Sequence, residues 1–302
     1  MTETRRQTRA GFIAVLGAPN AGKSTLVNRL VGNKVSIVTP KVQTTRARVI
    51  GITIVGDAQL VFIDTPGIFE TKRRLERAMV DAAWSGARDA DAIVVIVDAR
   101  RGIDRDSERI IKGLREKKRA AILVLNKIDL VKRERLLPLA AELDARGLFS
   151  ETLMISALTG DGIDDLRARL AALATPGPWH YPEDQISDMP LRLLAAEITR
   201  EKLFLQLEQE LPYALAVETE RWEERADGGV RIDQVVYLLR DSHKPIVLGK
   251  GGRRIKAVGT AARHELASIL GRPIHLFLHV KVRPKWTEDP ERYRDLGLEF
   301  PR

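Results

Sequence analysis

Short apolar runs alternate with amphipathic stretches along the first half of the chain. Phe12–Leu16, Gln59–Ile63, Ala92–Val97, Ala121–Leu125 and Glu151–Ile155 read as strands, most of them apolar enough to be buried on both faces. Arg46–Val55 is strand-like through Val49, Ile50, Ile52, Thr53, Ile54 and Val55. Thr25–Val31, Glu70–Ala87, Asp106–Lys117, Leu136–Arg146 and the stripe Ile163, Leu166, Leu170 and Leu173 read as helices, whereas Lys34–Val42 shows no clear period. Such alternation over about 170 residues predicts βαβ units around a mostly parallel sheet, an α/β domain.

The rhythm breaks at Thr175–Asp184, where Pro176, Pro178 and Pro182 can continue neither a helix nor a central strand. The second region opens with an amphipathic helix at about 191–210. A strand at Tyr213–Trp222, a turn at Asp227-Gly228-Gly229 and a returning strand at Val230–Arg240 follow. A glycine-rich basic element, a helix to Leu270 and a last alternating strand at Pro273–Val282 complete an α-β-β-α-α-β order. The expected divisions are a first domain over 1–175, a linker over 176–190, a second domain over 191–285 and a polar tail over 286–302 with a short helix at Glu291–Leu298.

Composition narrows the class. No apolar run approaches the length of a membrane span, and the polar, basic stretch Met1–Arg9 predicts no signal peptide. The chain has no cysteine, which excludes disulfides, zinc fingers and thiol catalysis and makes a reducing cytoplasm the expected home. The net charge of +9 is concentrated. Lys244–Lys285 holds ten basic residues against one acid, Glu265, and the remainder is balanced. That is the footprint of a polyanion-binding module beside a neutral domain, although a charge run alone is as well explained by a solvated face.

Gly17-Ala18-Pro19-Asn20-Ala21-Gly22-Lys23-Ser24 lies between a strand and a helix, the context a phosphate loop requires. Its glycines let backbone N–H groups turn toward phosphate oxygens at a helix N-terminus. Lys23 can reach the β- and γ-phosphates, and Ser24 can bind magnesium. Asp64-Thr65-Pro66-Gly67 ends a strand, placing a carboxylate for magnesium and a Gly67 N–H for the γ-phosphate. On its own it is also a common turn. Asn126-Lys127-Ile128-Asp129 suits guanine: Asp129 can accept both the ring N–H and the exocyclic amino group, a pair adenine lacks, although on its own the tetrad is as well explained by a helix N-cap. Asn126 would address the other base edge, and the Lys127 stem would cover the ring. All these tetrads follow strand ends, so they can line one crevice. Gly249-Lys250-Gly251-Gly252 matches the GXXG loop that clamps nucleic-acid backbone, with Arg253, Arg254, Lys256, Lys281, Arg283 and Lys285 supplying charge. Ile246, Val247, Leu248 and Ile255 are expected as an apolar floor for unstacked bases. His275 and His279 would share one strand face, without the further ligands a metal needs.

In order, Gly17–Ser24, Thr45, Asp64–Gly67, Asn126–Asp129 and Ser156–Leu158 match the five motifs of translation-factor-type GTPases. With Gln43-Thr44-Thr45-Arg46 and the basic GXXG element, the whole chain resembles the Era-like family of bacterial GTPases. The resemblance implies a P-loop GTPase domain followed by a type II KH domain. GTP would be held by Gly17, Asn20, Ala21, Gly22, Lys23, Ser24, Thr25, Asp64, Thr65, Pro66, Gly67, Asn126, Lys127 and Asp129, with Ser156, Ala157 and Leu158 meeting guanine through backbone. Lys23, Thr45 and Gly67 would be catalytic. Ser24, Thr45 and Asp64 would hold magnesium, Thr45 only in the GTP state, and Asn20 would help hold potassium. The implied partner is unpaired ribosomal RNA near the 3′ end of the small-subunit RNA, bound by a monomer that assists small-subunit maturation. Peripheral contact with the inner face of the membrane stays open.

One position departs from Ras-like enzymes. Residue 68 is Ile, where a Gln would orient the attacking water, so slow intrinsic hydrolysis is expected. The alternatives are a tRNA-modifying or large-subunit assembly GTPase, a nucleotide kinase, and an RNA-binding protein with a non-hydrolysing nucleotide site.

Overall fold

A computed structural model describes residues 7–209, 211–284 and 286–301. The chain divides into two compact units, Met1–Asp188 with Tyr293–Arg302, and Met189–Arg292.

The first unit is built on β1 (Arg9–Gly17), β2 (Val49–Val55), β3 (Ala58–Asp64), β4 (Ala92–Asp98), β5 (Ala121–Asn126) and β6 (Phe149–Met154), in the order β2-β3-β1-β4-β5-β6. All pairs are parallel except β2 with β3, a hairpin. Val, Ile and Leu fill β3, β4 and β5 almost without interruption because helices cover both faces. On one face α2 (Arg74–Asp89), α3 (Arg105–Glu116) and α4 (Leu136–Asp144) supply Ala83, Ile110, Ile111, Leu114 and Leu143 to the core. On the other face lie α1 (Lys23–Val31) and α5 (Ile163–Leu173).

α2 begins later than the polar pattern suggested because Glu76 caps it. The Glu76 carboxylate accepts from the Lys72 and Arg73 backbone N–H groups at 2.7 and 3.0 Å. The segment between α1 and β2 has no regular element, in keeping with its lack of period.

Two stretches differ from expectation. Residues 176–188, read as linker, pack along the sheet of the first unit. β7 (Thr175–Pro176) pairs with β1, the buried Gln59 side chain bonds the backbone at His180 and Tyr181, and the Ile52 N–H donates to Ile186. Proline forbids a central strand but not this covering of a sheet edge. The tail also folds: Tyr293 and Leu298 are buried against Ala78 and Met79 of α2, with Phe300 edge-on to Tyr293 at 4.8 Å. A short helix was expected at Glu291–Leu298 and one forms at Pro290–Asp295, but the sequence did not show what the tail would pack against.

The second unit carries α6 (Leu191–Gln206), β8 (Leu215–Glu224), β9 (Val230–Leu238), α7 (Lys244–Leu248), α8 (Arg253–Leu270) and β10 (Ile274–Val282). α9 (Pro290–Asp295) lies at the boundary of the units. The sheet order is β10-β9-β8, with β9 antiparallel to β8 and parallel to β10. α6 and α8 cover one face through Ile198, Leu203, Val258, Ala262 and Leu266. No helix among the described residues is long and apolar enough to cross a membrane.

Candidate functional site

The carboxyl ends of β1, β3, β5 and β6 release four loops on one edge of the first sheet, and side chains tie them together. Gly22 sits at φ 104° and caps α1 with no side-chain partner, leaving the first helical N–H groups available to an anion. A Cβ there would lie 2.3 Å from the Asn126 amide nitrogen, so only glycine lets the β5 loop approach. Gly67 is less tightly constrained: a Cβ would meet three Pro19 atoms at 3.1 Å. The Ile68 N–H donates to Gly17, and the buried Thr65 hydroxyl donates to Val15 at 2.8 Å.

Asn126 also has a task that sequence did not suggest. Its amide donates to the Ala21 carbonyl at 2.8 Å and accepts from the Ala157 N–H at 2.9 Å. It thereby clamps the phosphate loop to the 156–158 loop. Lys127, at φ 66°, donates to the Asn20 carbonyl and to Asp98, each at 2.6 Å. Asp129 and Leu158 are exposed, whereas Ser156 and Ala157 are buried. Asp129 is the exposed member of its tetrad.

Lys23 is 6% exposed and donates to the Gly17 and Ala18 carbonyls at 3.1 and 3.0 Å. Burial lowers its pKa to about 8, with nearby Asp64 acting in the opposite sense. Asp64 is wholly buried, and neither oxygen has a hydrogen-bond partner of good geometry. Burial raises its pKa, while the Ser24 and Ser36 hydroxyls and Lys23 pull it down. A buried carboxylate left unpaired is costly, and a hard cation with oxygen ligands satisfies it. The Ser24 and Thr45 hydroxyls, bonded to each other at 2.8 Å, complete an all-oxygen set suited to magnesium.

Thr45 thus sits at the phosphate loop, held by a segment with its own ties. Thr39 and Thr44 share a 2.6 Å hydrogen bond, and Asn20 donates to the Pro40 carbonyl at 2.8 Å. Gln43, at φ 55°, donates to Glu76 at 3.1 Å. Ile68 is fully buried in the core beside Ala83 and Ala87. It orients no water, and Ile68→Gln would place an amide in apolar packing instead of near a phosphate.

Sequence reasoning passed over Asp98, Arg29 and Glu76. Asp98 holds the Lys127 ammonium, Arg29 donates to the Ala157 and Leu158 carbonyls, and Glu76 joins the Thr45 segment to α2. Only Asp98 left a signal, an acid at the end of a buried strand.

A pH dependence follows from the buried lysine. A phosphate bound at Lys23 favours its charged form, so binding takes up a proton where the free protein has lost it. Affinity for a nucleoside triphosphate is expected to fall above about pH 8, approaching tenfold per pH unit. Calorimetry in buffers of different ionisation enthalpy at pH 8–9 measures the uptake, and its absence would refute the assignment.

In the second unit, Gly249, Gly251 and Gly252 have φ of 70, 61 and 73°. A Cβ at Gly249 would lie 2.8 Å from that of Arg254, whereas Gly251 and Gly252 face open space. The turn therefore exposes backbone beside a cleft of about 720 Å³ lined by Lys244, Leu248 and Lys250. Two expectations change here. Val247 is fully buried in the core and cannot underlie bases, because its helix needs an inward anchor. Lys281 and Arg283 are engaged by carboxylates. The alternation of β10 turns Leu278 and Val280 to the helices, so Lys281 occupies the opposite sheet face and pairs with Glu220, while Arg283 pairs with Asp289. Lys285 lies outside the described residues. His275 and His279 share a face as expected, and no cluster able to hold a metal ion occurs among the described residues.

Residues 12–127 match a family profile described as a 50S ribosome-binding GTPase, and residues 210–287 match a KH domain. The chain is 61% identical to GTPase Era of Rhizobium meliloti over 100% of its own length and 99% of that protein. It is 62% identical to GTPase Era of Agrobacterium fabrum over 98% and 93%. Among solved structures, Era in complex with MgGDPNP and nucleotides 1506–1542 of 16S ribosomal RNA superposes with a TM-score of 0.91. It has 40% identity and covers 96% of this chain and 99% of that one. A single-substitution variant of Aquifex aeolicus Era bound to GDP·AlF4⁻ gives the same values. With its GTPase motifs gathered at one sheet edge, a GXXG turn in an α-β-β-α-α-β unit and relatives near 60% identity along its whole length, the chain belongs to the Era family of GTPases.

Proposed function

We propose that the protein binds GTP with magnesium, hydrolyses it slowly to GDP and phosphate, and grips unpaired small-subunit ribosomal RNA through its GXXG turn during assembly of the small subunit. It acts as a cytoplasmic monomer in this reading. The observation that carries the nucleotide half is the Asn126 clamp, which draws the phosphate loop and the 156–158 loop together around exposed Asp129. Asp64, Ser24 and Thr45 would hold magnesium, which supplies charge neutralisation at the phosphates. Lys23 binds the same phosphates, and backbone donors at Gly67 and the α1 N-terminus orient the terminal one. The buried Ile68 leaves no side chain at that position to align water, so the expected intrinsic rate is about 10⁻⁴–10⁻² s⁻¹. Single-turnover hydrolysis tests this, and rapid unaided turnover would contradict it.

The Asn20 amide lies against the Pro40 carbonyl. This supports a monovalent cation site formed by two oxygens once the amide turns. Potassium in place of sodium is expected to raise the hydrolysis rate about tenfold, and Asn20→Ala to abolish that difference. Equal rates in both salts would remove potassium from the mechanism.

The RNA half rests on the open faces of Gly251 and Gly252 and on relatives: one solved Era structure contains 16S ribosomal RNA. That RNA favours the small subunit over the large-subunit wording of the family profile. Gly251→Asp with Gly252→Asp keeps left-handed positions that Asp tolerates but sets two negative charges on the backbone-binding turn. Affinity for unpaired RNA is expected to fall at least about a hundredfold while GTP binding is unchanged. A filter-binding titration showing equal RNA affinity would exclude the turn as the grip.

A further inference from the structure

The cations of the second unit fall into two populations. Outside residues 240–263, every described lysine or arginine side chain is held: Arg200, Arg225, Arg231 and Arg272 by carboxylates, for example, and Arg192 by two backbone carbonyls. Inside that stretch, Arg240, Lys244, Lys250, Arg253, Lys256 and Arg263 have no carboxylate partner among the described residues, although Arg253, like Arg254, donates to a backbone carbonyl. Half of these belong to α8. At 100° per residue, Arg253, Lys256, Thr260, Arg263 and His264 fall within about one third of the helix circumference. All five are exposed, and buried Val258, Ala262 and Leu266 lie opposite. The one acid of α8, Glu265, lies off this face and is engaged by Lys202. The exposed face thus carries charge of one sign over about 15 Å from the glycine turn to Arg263.

Cations without carboxylate partners on one helix face repel one another, so folding does not account for the charge they share. They suit a ligand that brings regularly spaced negative charge. We propose that this face of α8 is a phosphate track, which carries the RNA sugar–phosphate backbone past the GXXG turn as far as Arg263 and enlarges the bound segment without reading sequence. The inference rests on the RNA-binding reading above and extends it to a separate surface. A membrane surface fits less well, because the face presents Ala257 and Thr260 between its charges and lacks the large apolar side chains that bury into lipid.

Arg263→Glu tests the track. The residue is exposed and its polar contact among the described residues is with neighbouring His264, so the fold is expected to survive, as thermal unfolding would verify. Arg225→Glu is a charge-matched control off the track. RNAs of about six and about twenty unpaired nucleotides distinguish the turn from the track, since a GXXG loop clamps about four nucleotides. Arg263→Glu is expected to weaken the long RNA by about three- to tenfold and to lower its log–log salt slope by about 0.7–1.4. The short RNA and the Arg225→Glu control should stay within about twofold of wild type. Unchanged long-RNA affinity, or loss on anionic phosphatidylglycerol vesicles with RNA binding intact, would overturn the track. Failure of Gly251→Asp with Gly252→Asp to weaken the short RNA would instead remove the turn and leave the track to stand or fall on the long one.

Discussion

Asp129→Asn is expected to lower affinity for GTP by about 10³–10⁴-fold and to create a preference for xanthine nucleotides. The argument is one of matching donors. Guanine offers a ring N–H and an exocyclic amino group on one edge, and a carboxylate accepts both. An asparagine amide accepts one and thrusts its own N–H₂ at the other. Xanthine carries a carbonyl where guanine has the amino group, so it restores both bonds to asparagine. Asp129 is exposed and follows the left-handed Lys127, whose ties to Asn20 and Asp98 fix the loop independently of residue 129. Stability should therefore change by less than about 0.5 kcal/mol, which separates lost recognition from lost folding. Competition between GTP and XTP against a fluorescent guanine nucleotide measures the switch. Retained discrimination for guanine would show that another group reads the base.

Lys23→Met should abolish detectable turnover, by at least about 10²–10³-fold, while leaving the unliganded protein as stable as wild type or more so. The two halves of that expectation share a cause. Burial lowers the pKa of Lys23 to about 8 from 10.5, so holding it charged at pH 7 costs about 3 kcal/mol of folding free energy. The sign is that of a base whose folded pKa is depressed: stability rises as pH increases from about 8 toward 10.5, where the unfolded chain alone stays protonated. Methionine keeps the stem and removes the charge, so the penalty disappears with the activity. A lysine retained at such a cost is explained by the triphosphate it meets, and an RNA-binding protein with a defunct nucleotide site would have no use for it. Absence of hydrolysis in the wild-type protein would support that rival, hydrolysis surviving in Lys23→Met would remove Lys23 from the chemistry, and a lower melting temperature would show that the ammonium bonds to Gly17 and Ala18 matter more than its burial.

Asp64 sets the opposite dependence at the acid end. Its pKa is raised chiefly by burial, so a cation that binds the carboxylate must displace a proton at low pH. Magnesium affinity and nucleotide affinity are thus drawn toward neutral pH from both sides by two buried groups of opposite charge.

The identity of the chemistry was legible in the chain because phosphate and guanine recognition need particular residues at particular spacings after strands: two glycines and a lysine before a helix, an Asp three residues after an Asn. The strands too were visible, since a parallel sheet covered on both faces is written as unbroken Val, Ile and Leu, as in Ala92–Val97. The α-β-β-α-α-β order of the second unit was equally readable from its alternating strands and its glycine turns.

Tertiary structure alone decided which of those residues work on a ligand and which hold the site together. Asn126 and Asp129 belong to one motif, yet long-range bonds to Ala21 and Ala157 engage the first and leave the second exposed. Lys281 and Lys256 look alike as charges, but β-strand alternation turns the first toward Glu220 while the α8 face leaves the second unpaired. The proline-rich stretch 176–188 and the tail from Tyr293 owe their order to surfaces far away in sequence, the edge of β2 and the side of α2. Local pattern records the period and chemistry of a segment. Which partner a side chain meets depends on chain brought from elsewhere, and no window of neighbouring residues contains it.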